Sequence, residues 1–354
     1  MRDAAPAPDL YLPAPAAYFP IRNGRYDTAP ALHRLGTPSG NGAVDGHLFQ
    51  IDSTFQRFRE NKLSCRSERL GKYVCYADFA EPVREAVGRL IVTRLAVEHP
   101  GLFRAVTPGD REDVELYCVP TGERLILDPS LRLTGVRPAD SASPEADPPY
   151  IDAFDALACQ VPEDIAIVVR DAIGGPDRLV ALHLCAPSRW AAEEKIGRDW
   201  SAIHEPVPGM ERLRTPDIAS TLVGMMIDRK PMVRFTWGIE FDDRLNRHPE
   251  PPQGVSPGEW QTRTPRCDRP DGTDAAEERL YLRVERQTIW GLPEVSATVF
   301  AIRVYHTPLS ALRSIPSHVE ALASALRSMS PDSLHYKSLN GCLDAVLKLL
   351  VETN

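Results

Sequence analysis

The sequence predicts an α+β protein built on an antiparallel sheet, and three observations predict it. Two β-like runs, residues 165–170 and 179–184, are joined by a Gly174-Gly175-Pro176-Asp177 turn and read as a hairpin. Helical segments at 188–197 and 216–228 follow. Three more strand-like runs come next, at 232–241, 280–289 and 295–305, the last two joined by Gly291-Leu292-Pro293-Glu294.

Taken along the chain, residues 1–50 are rich in Pro, Ala and Gly without periodicity, and read as an extended N-terminal arm. Residues 51–149 read as a helix and β-hairpin region. In 79–98 the positions Val83, Val87, Leu90, Ile91, Leu95 and Val97 form an apolar stripe near the 3.6-residue period, ended by His99-Pro100-Gly101. A strand pair is expected at 114–119 and 124–127, closed by Asp128-Pro129. Residues 137–149 have the composition of a linker. The 150–308 core starts with the hairpin. Ser188 is placed to cap its first helix, and Thr215 with Pro216 to open its second. Residues 246–278 are a polar, Pro-rich insertion that reads as a long surface loop. Helices are expected at 309–328 and 338–351, within a C-terminal 309–354 unit. Hairpin, helices, then three antiparallel strands is the order of a PAS-like domain, in which helices cover one face of a five-stranded sheet and enclose a ligand pocket.

Composition narrows the function. The chain of 354 residues carries 41 Lys+Arg against 49 Asp+Glu, a net charge of −8. With no block of basic residues, it is a poor electrostatic match for nucleic acid or an anionic membrane. No run approaches the ~18 apolar residues of a membrane helix, and the N-terminus lacks an apolar signal core. Seven scattered cysteines without a C-x-x-C pair argue against a disulfide framework, a zinc finger or an iron–sulfur cluster, and point to a reducing cytoplasm. There is no phosphate-binding loop, dinucleotide fingerprint, nucleophile elbow or H-E-x-x-H helix.

Two clusters carry candidate chemistry. In Trp200-Ser201-Ala202-Ile203-His204-Glu205-Pro206-Val207-Pro208-Gly209, a histidine sits on a stiff turn just after a helix. Neutral imidazole is a common ligand of metals and haem iron, and the alternative is a helix-capping or core histidine. In residues 280–288, alternation sets Leu280, Leu282 and Val284 on one face and Tyr281, Arg283, Glu285 and Gln287 on the other. Arg286 and Thr288 then fall on the apolar face, where a guanidinium must be paired or must line a pocket holding an anion. Phe235 and Trp237 with Val233 and Ile239 read as a core stripe, with Arg234 opposite and open to solvent. Pro162-Glu163-Asp164 reads as a solvated turn, and Cys185 as a small buried residue.

The chain resembles the haem-dependent oxidative N-demethylase α-subunit family, the haem subunit of dimethylamine monooxygenase. The resemblance runs through Ile51-Asp52 with Phe55 and Arg57, His99-Pro100-Gly101-Leu102-Phe103, Val161-Pro162-Glu163-Asp164, and Pro187-Ser188-Arg189-Trp190 with Lys195-Ile196-Gly197. It continues through Ile203-His204-Glu205-Pro206-Val207-Pro208, Arg234-Phe235-Thr236-Trp237, Leu282-Arg283-Val284-Glu285-Arg286-Gln287-Thr288 with Leu292-Pro293, and Tyr336-Lys337.

The resemblance implies a PAS-like haem domain that activates O2 on haem b and removes a methyl group from a small amine. Electrons would come from NADPH through a separate reductase carrying flavin and [2Fe-2S], with tetrahydrofolate bound elsewhere in the assembly. On that reading His204 is the axial iron ligand, Arg234 and Trp237 contact the cofactor, and Arg286, Arg283, Glu285 and Gln287 serve O2 or the amine. His183 and Cys185 are the fallback ligands. The chain departs from the family at Pro162, where an amide is usual, and at Thr236, where Asn is usual, so its substrate or the substrate's orientation differs. The competing readings are a biosynthetic haem enzyme acting on a larger nitrogenous metabolite, a non-catalytic haem or gas sensor of PAS type, and a scaffold subunit without haem.

Overall fold

The computed structural model describes residues 11–28, 31–107, 112–138, 146–171, 175–211, 213, 215–261 and 280–351. The first ten residues of the arm, 139–145 of the linker, Gly174 of the hairpin turn and 262–278 of the insertion lie outside them.

The elements run β1 (His33–Arg34), α1 (Phe55–Tyr73), β2 (Val74–Tyr76), α2 (Glu81–Glu98), β3 (Phe103–Val106), β4 (Val114–Cys118), β5 (Glu123–Leu127), β6 (Leu133–Pro138) and α3 (Ala153–Ala158). Then come β7 (Asp164–Arg170), β8 (Asp177–His183), α4 (Ala192–Lys195), α5 (Trp200–Ile203), α6 (Pro216–Asp228), β9 (Met232–Glu240), α7 (Pro257–Gln261), β10 (Tyr281–Leu292) and β11 (Ala297–Pro308). The chain closes with α8 (Leu309–Leu312), α9 (Pro316–Arg327), α10 (Pro331–Tyr336) and α11 (Leu343–Val351).

The main sheet has seven strands in the order β1-β9-β10-β11-β7-β8-β2, every pairing antiparallel. Its five central strands are those expected from the hairpin and the three later runs, so the α+β reading holds. A second, four-stranded sheet, β3-β4-β5-β6, encloses the expected strand pair.

Each face of the main sheet has its own cover. On one face two apolar clusters lie side by side. One joins Ile165, Ile167, Val180 and Val299 to α2, α3 and the small sheet. The other joins Trp237, Leu282 and Val284 to Tyr18 and Ile21 of the arm and to the C-terminal helices. The first cluster runs through residues on both sides of the 149/150 boundary drawn from composition. On the opposite face Ala166, Val168, Leu179 and Leu182 meet Trp200, Met210 and α6, and the functional cavity opens there.

Several expected elements differ. The helix expected at 188–197 shrinks to α4, because Ser188 bridges to Arg247 and Arg189 adopts a left-handed φ of 62°. A tertiary ion pair between Arg189 and Glu240 holds that conformation. The expected 309–328 helix breaks into α8 and α9 where Pro316, lacking an N–H, starts a new helix. The arm is not a loose wrapping segment throughout: Tyr18, Ile21, Leu48 and Phe49 are buried. Pro162-Glu163-Asp164 is no solvated turn, since Glu163 and Asp164 are buried. Asp164 accepts hydrogen bonds from the Cys185 and Ala186 amides, and Glu163 from the Gln50 amide, each at 2.8 Å.

Candidate haem and substrate cavity

A cavity of about 810 Å³ lies between the main sheet and the segments that cross it. Its floor is apolar under β7, β8 and β11 (Ala166, Val168, Leu179, Phe300, Ile302) and polar under β9 and β10. Strand alternation produces the polar end. Arg283, Glu285 and Gln287 project from one face of β10, and the register sets them opposite Gly238, Thr236 and Arg234 of β9. The roof comes from α5 and the Pro206-Val207-Pro208 turn, with Met226 from α6. Tyr26 of the arm and Tyr336-Lys337 at the end of α10 complete the wall.

The polar end is tightly bonded. Glu285 accepts from Thr236 Oγ1 at 3.2 Å, from Gln287 Nε2 at 3.0 Å and from Arg283 at 3.3 Å. Arg283 also donates to the Ala186 carbonyl at 2.7 Å. Glu240 takes a two-pronged contact from Arg189 at 2.7 and 2.6 Å, and Arg247 lies 3.1 Å from it. Arg234 lies beside this group with its Nε unpartnered; burial lowers its pKa, and Glu285 offsets part of that. Burial also lowers the pKa of the Lys337 ammonium, against the pull of Glu285 and Glu240.

His204 lines the cavity at the end of α5. Its Nδ1 lies 2.8 Å from the Trp200 carbonyl, and its ring stacks on the Trp200 indole with centroids 4.2 Å apart. A carbonyl accepts only, so Nδ1 carries the proton, and in the neutral ring the lone pair is then on Nε2, the tautomer that ligates a metal through Nε2.

Of the sequence candidates, His204, Arg234, Trp237, Arg283, Glu285 and Gln287 all line this one cavity. Trp237 touches it from a strand whose indole packs into the opposite cluster, edge-on to Tyr26 at 5.5 Å. Arg234 is not open to bulk solvent as expected but faces the cavity. Arg286 requires a correction: it does not line the cavity. Alternation turns it to the far face, where it is buried and donates to the His47 carbonyl at 2.7 Å and the Asp45 carbonyl at 3.2 Å. It ties the arm to the sheet. Sequence reasoning left Arg189, Glu240, Tyr336 and Lys337 without a role. The continued alternation from 234 to 240 could have found Glu240; Arg189, Tyr336 and Lys337 reach the cavity from segments far along the chain.

The fallback ligands lie elsewhere. Neither His183 nor Cys185 is among the residues lining the cavity. His183 Nε2 lies 3.2 Å from Asp155 and 3.6 Å from Cys159 Sγ, a donor set of metal-binding type. Arg66, however, bonds both Asp155 oxygens, at 2.9 and 2.8 Å, so the cluster is an internal ion network with its positive charge built in. Cys65, Cys75, Cys118, Cys159 and Cys185 are buried free thiols, whereas Cys342 is disulfide-bonded.

A family model described as haem-dependent oxidative N-demethylase, alpha subunit-like, matches residues 42–347. The chain belongs to that family. Family membership makes it a haem-dependent oxidative demethylase-type oxidoreductase. The matched span contains every strand of the main sheet except β1, and nearly all of the cavity wall. No helix among the described residues is long and apolar enough to cross a membrane.

Proposed function

We propose that this chain is the haem-bearing oxygenase subunit of an N-demethylating system, in which the cavity would seat the haem and His204 would hold its iron. The observation that carries this reading is the placement of the His204 imidazole, its tautomer set by the Trp200 carbonyl, on the wall of a cavity with an apolar floor and a cationic end. The donor chemistry suits a haem: neutral imidazole for iron, apolar strands for the macrocycle, and Arg and Lys for its carboxylates. The spatial order β8-β7-β11-β10-β9 supports the PAS-like reading of the core.

Bound there, haem b would supply O2 activation. The chain's own groups bind, orient and shield. Trp200 and the Trp200 carbonyl fix the plane and tautomer of His204. Arg283, held by the Ala186 carbonyl, offers a positioned donor to an oxygen that gains charge. Glu285, oriented by Thr236 and Gln287, is the carboxylate placed to hold an amine nitrogen or take its proton. The roof and Tyr26 limit water. The sequence has no C-x-x-C pair and no nucleotide loop, which favours electrons from a separate NADPH-dependent reductase with flavin and [2Fe-2S].

His204→Ala tests the assignment. Hemin titration of the full chain should give a Soret band with histidine coordination that the variant loses, and added imidazole should restore it. An unchanged spectrum in the variant would overturn the ligand assignment. Protein that takes up no hemin at all would support a scaffold role instead. Turnover of dimethylamine with a chemical or enzymatic reductant, read as formaldehyde release, tests the substrate.

A further inference from the structure

The polar end of the cavity holds more positive charge than its own carboxylates neutralise. Glu285 already has three donors, and Glu240 is shared by Arg189 and Arg247. Arg234 and Lys337 both line the cavity, yet among the described residues neither makes an ion pair or a side-chain hydrogen bond. They are neighbours of the same group: Arg234 stands opposite Gln287, and the Lys337 stem lies over Gly238, with Cδ 3.6 Å and Nζ 3.8 Å from where a Cβ would sit. Lys337 Nζ lies 5.6 Å from the Tyr336 ring centroid, but shielded cations without a carboxylate in direct contact are costly unless a ligand supplies the counter-charge.

We propose that Arg234 and Lys337 form a two-cation clamp for a carboxylate-bearing ligand at this end of the cavity. The proposal deepens the haem-oxygenase reading and rests on it for the identity of the ligand. Two sources share the chemistry: the propionates of a haem, or the carboxylate of an N-methylated amino acid substrate. The guanidinium fork can grip both oxygens of one carboxylate, while the ammonium acts as a point charge beside it.

The test uses Arg234→Gln and Lys337→Met in the full chain with three probes. Metal-free protoporphyrin IX and its dimethyl ester are followed by fluorescence. Sarcosine, with dimethylamine as its uncharged-tail control, is followed by calorimetry on hemin-loaded protein. A clamp on propionates predicts at least about tenfold weaker binding of protoporphyrin IX by each variant and no change for the diester. A clamp on substrate predicts unchanged porphyrin binding, with sarcosine binding lost and dimethylamine binding kept. Metal-free porphyrin needs no axial ligand, so this arm still reads the clamp if His204 does not bind iron. Charge-keeping Lys337→Arg and Arg234→Lys should retain most binding. If they lose as much as the neutral variants, packing explains the effect and the clamp is overturned. Equal binding of every probe by the neutral variants and the parent also overturns it.

Discussion

Arg283 and Arg286 stand three positions apart on β10 and serve opposite faces of one sheet. The period of two decides this: Arg283 enters the cavity wall, while Arg286 crosses to the arm and is capped by backbone carbonyls. The two residues therefore respond differently to loss of charge. Arg286→Met should cost about 2–3 kcal/mol in urea unfolding, since buried carbonyls lose a charged donor, and should leave the hemin spectrum unchanged. Arg283→Met should perturb the spectrum and oxygen chemistry. An altered Soret band in the Arg286 variant at parental stability would contradict the placement. Alternation was legible in the sequence, including the odd position of Arg286. Which face carried the pocket was not, because both faces of this sheet are covered and both present apolar residues along β10.

The five central strands of the main sheet and the β4–β5 pair were read to within about three residues, because β-branched runs bounded by Gly and Pro are local signals, whereas β1, β2, β3 and β6 were not read. Helix α6 was equally clear from Pro216 and its apolar period. The segment from 188 to 197 failed because its conformation answers to partners far along the chain, Arg247 and Glu240. One contact between elements is unusually close. A Cβ on Gly291 of β10 would lie 1.9 Å from the Ile227 carbonyl oxygen at the end of α6. Backbone cannot yield there as a side chain would, so Gly291→Ala must push α6 off the sheet. We expect a loss of about 3 kcal/mol or more. Weaker hemin retention should accompany it, since Met226 of α6 lines the cavity. Thermal unfolding and a hemin-transfer assay measure the two effects. A Tm equal to the parent's would show that the close packing of α6 is not required.

At the scale of the whole molecule, long-range ionic ties join the pieces. Arg303 of β11 bonds Asp52 at 2.8 Å, and Arg66, Asp155 and His183 link α1, α3 and β8 in a fully buried network. Burial alone would raise the Asp155 carboxyl, but His183 and Arg66 outweigh it and hold the pKa down to about 2. A carboxyl depressed on folding favours the folded state when ionised. That stabilisation is complete above pH ~4 and is lost as pH falls toward 2, amounting to about 2 kcal/mol. Glu163 and Asp164, raised by burial, act with the opposite sign: ionising them above their ordinary range weighs against the fold. Carboxyl carbon NMR should find Asp155 titrating near 2 and Glu163 above the usual glutamate range. An Asp155 titration near 4 would remove this contribution.

The sequence by itself determined the α+β class, the order and period of the five central strands, and the motifs around His204 and Arg283, because each depends on neighbours within a few residues. The tertiary structure alone decided which of those motifs share a cavity. It turned Arg286 and Glu163 into buried ties and brought Lys337 over Gly238. It also recruited the arm into both the core and the cavity wall. Those outcomes depend on which face of a sheet is covered by which distant segment, and no local period encodes that.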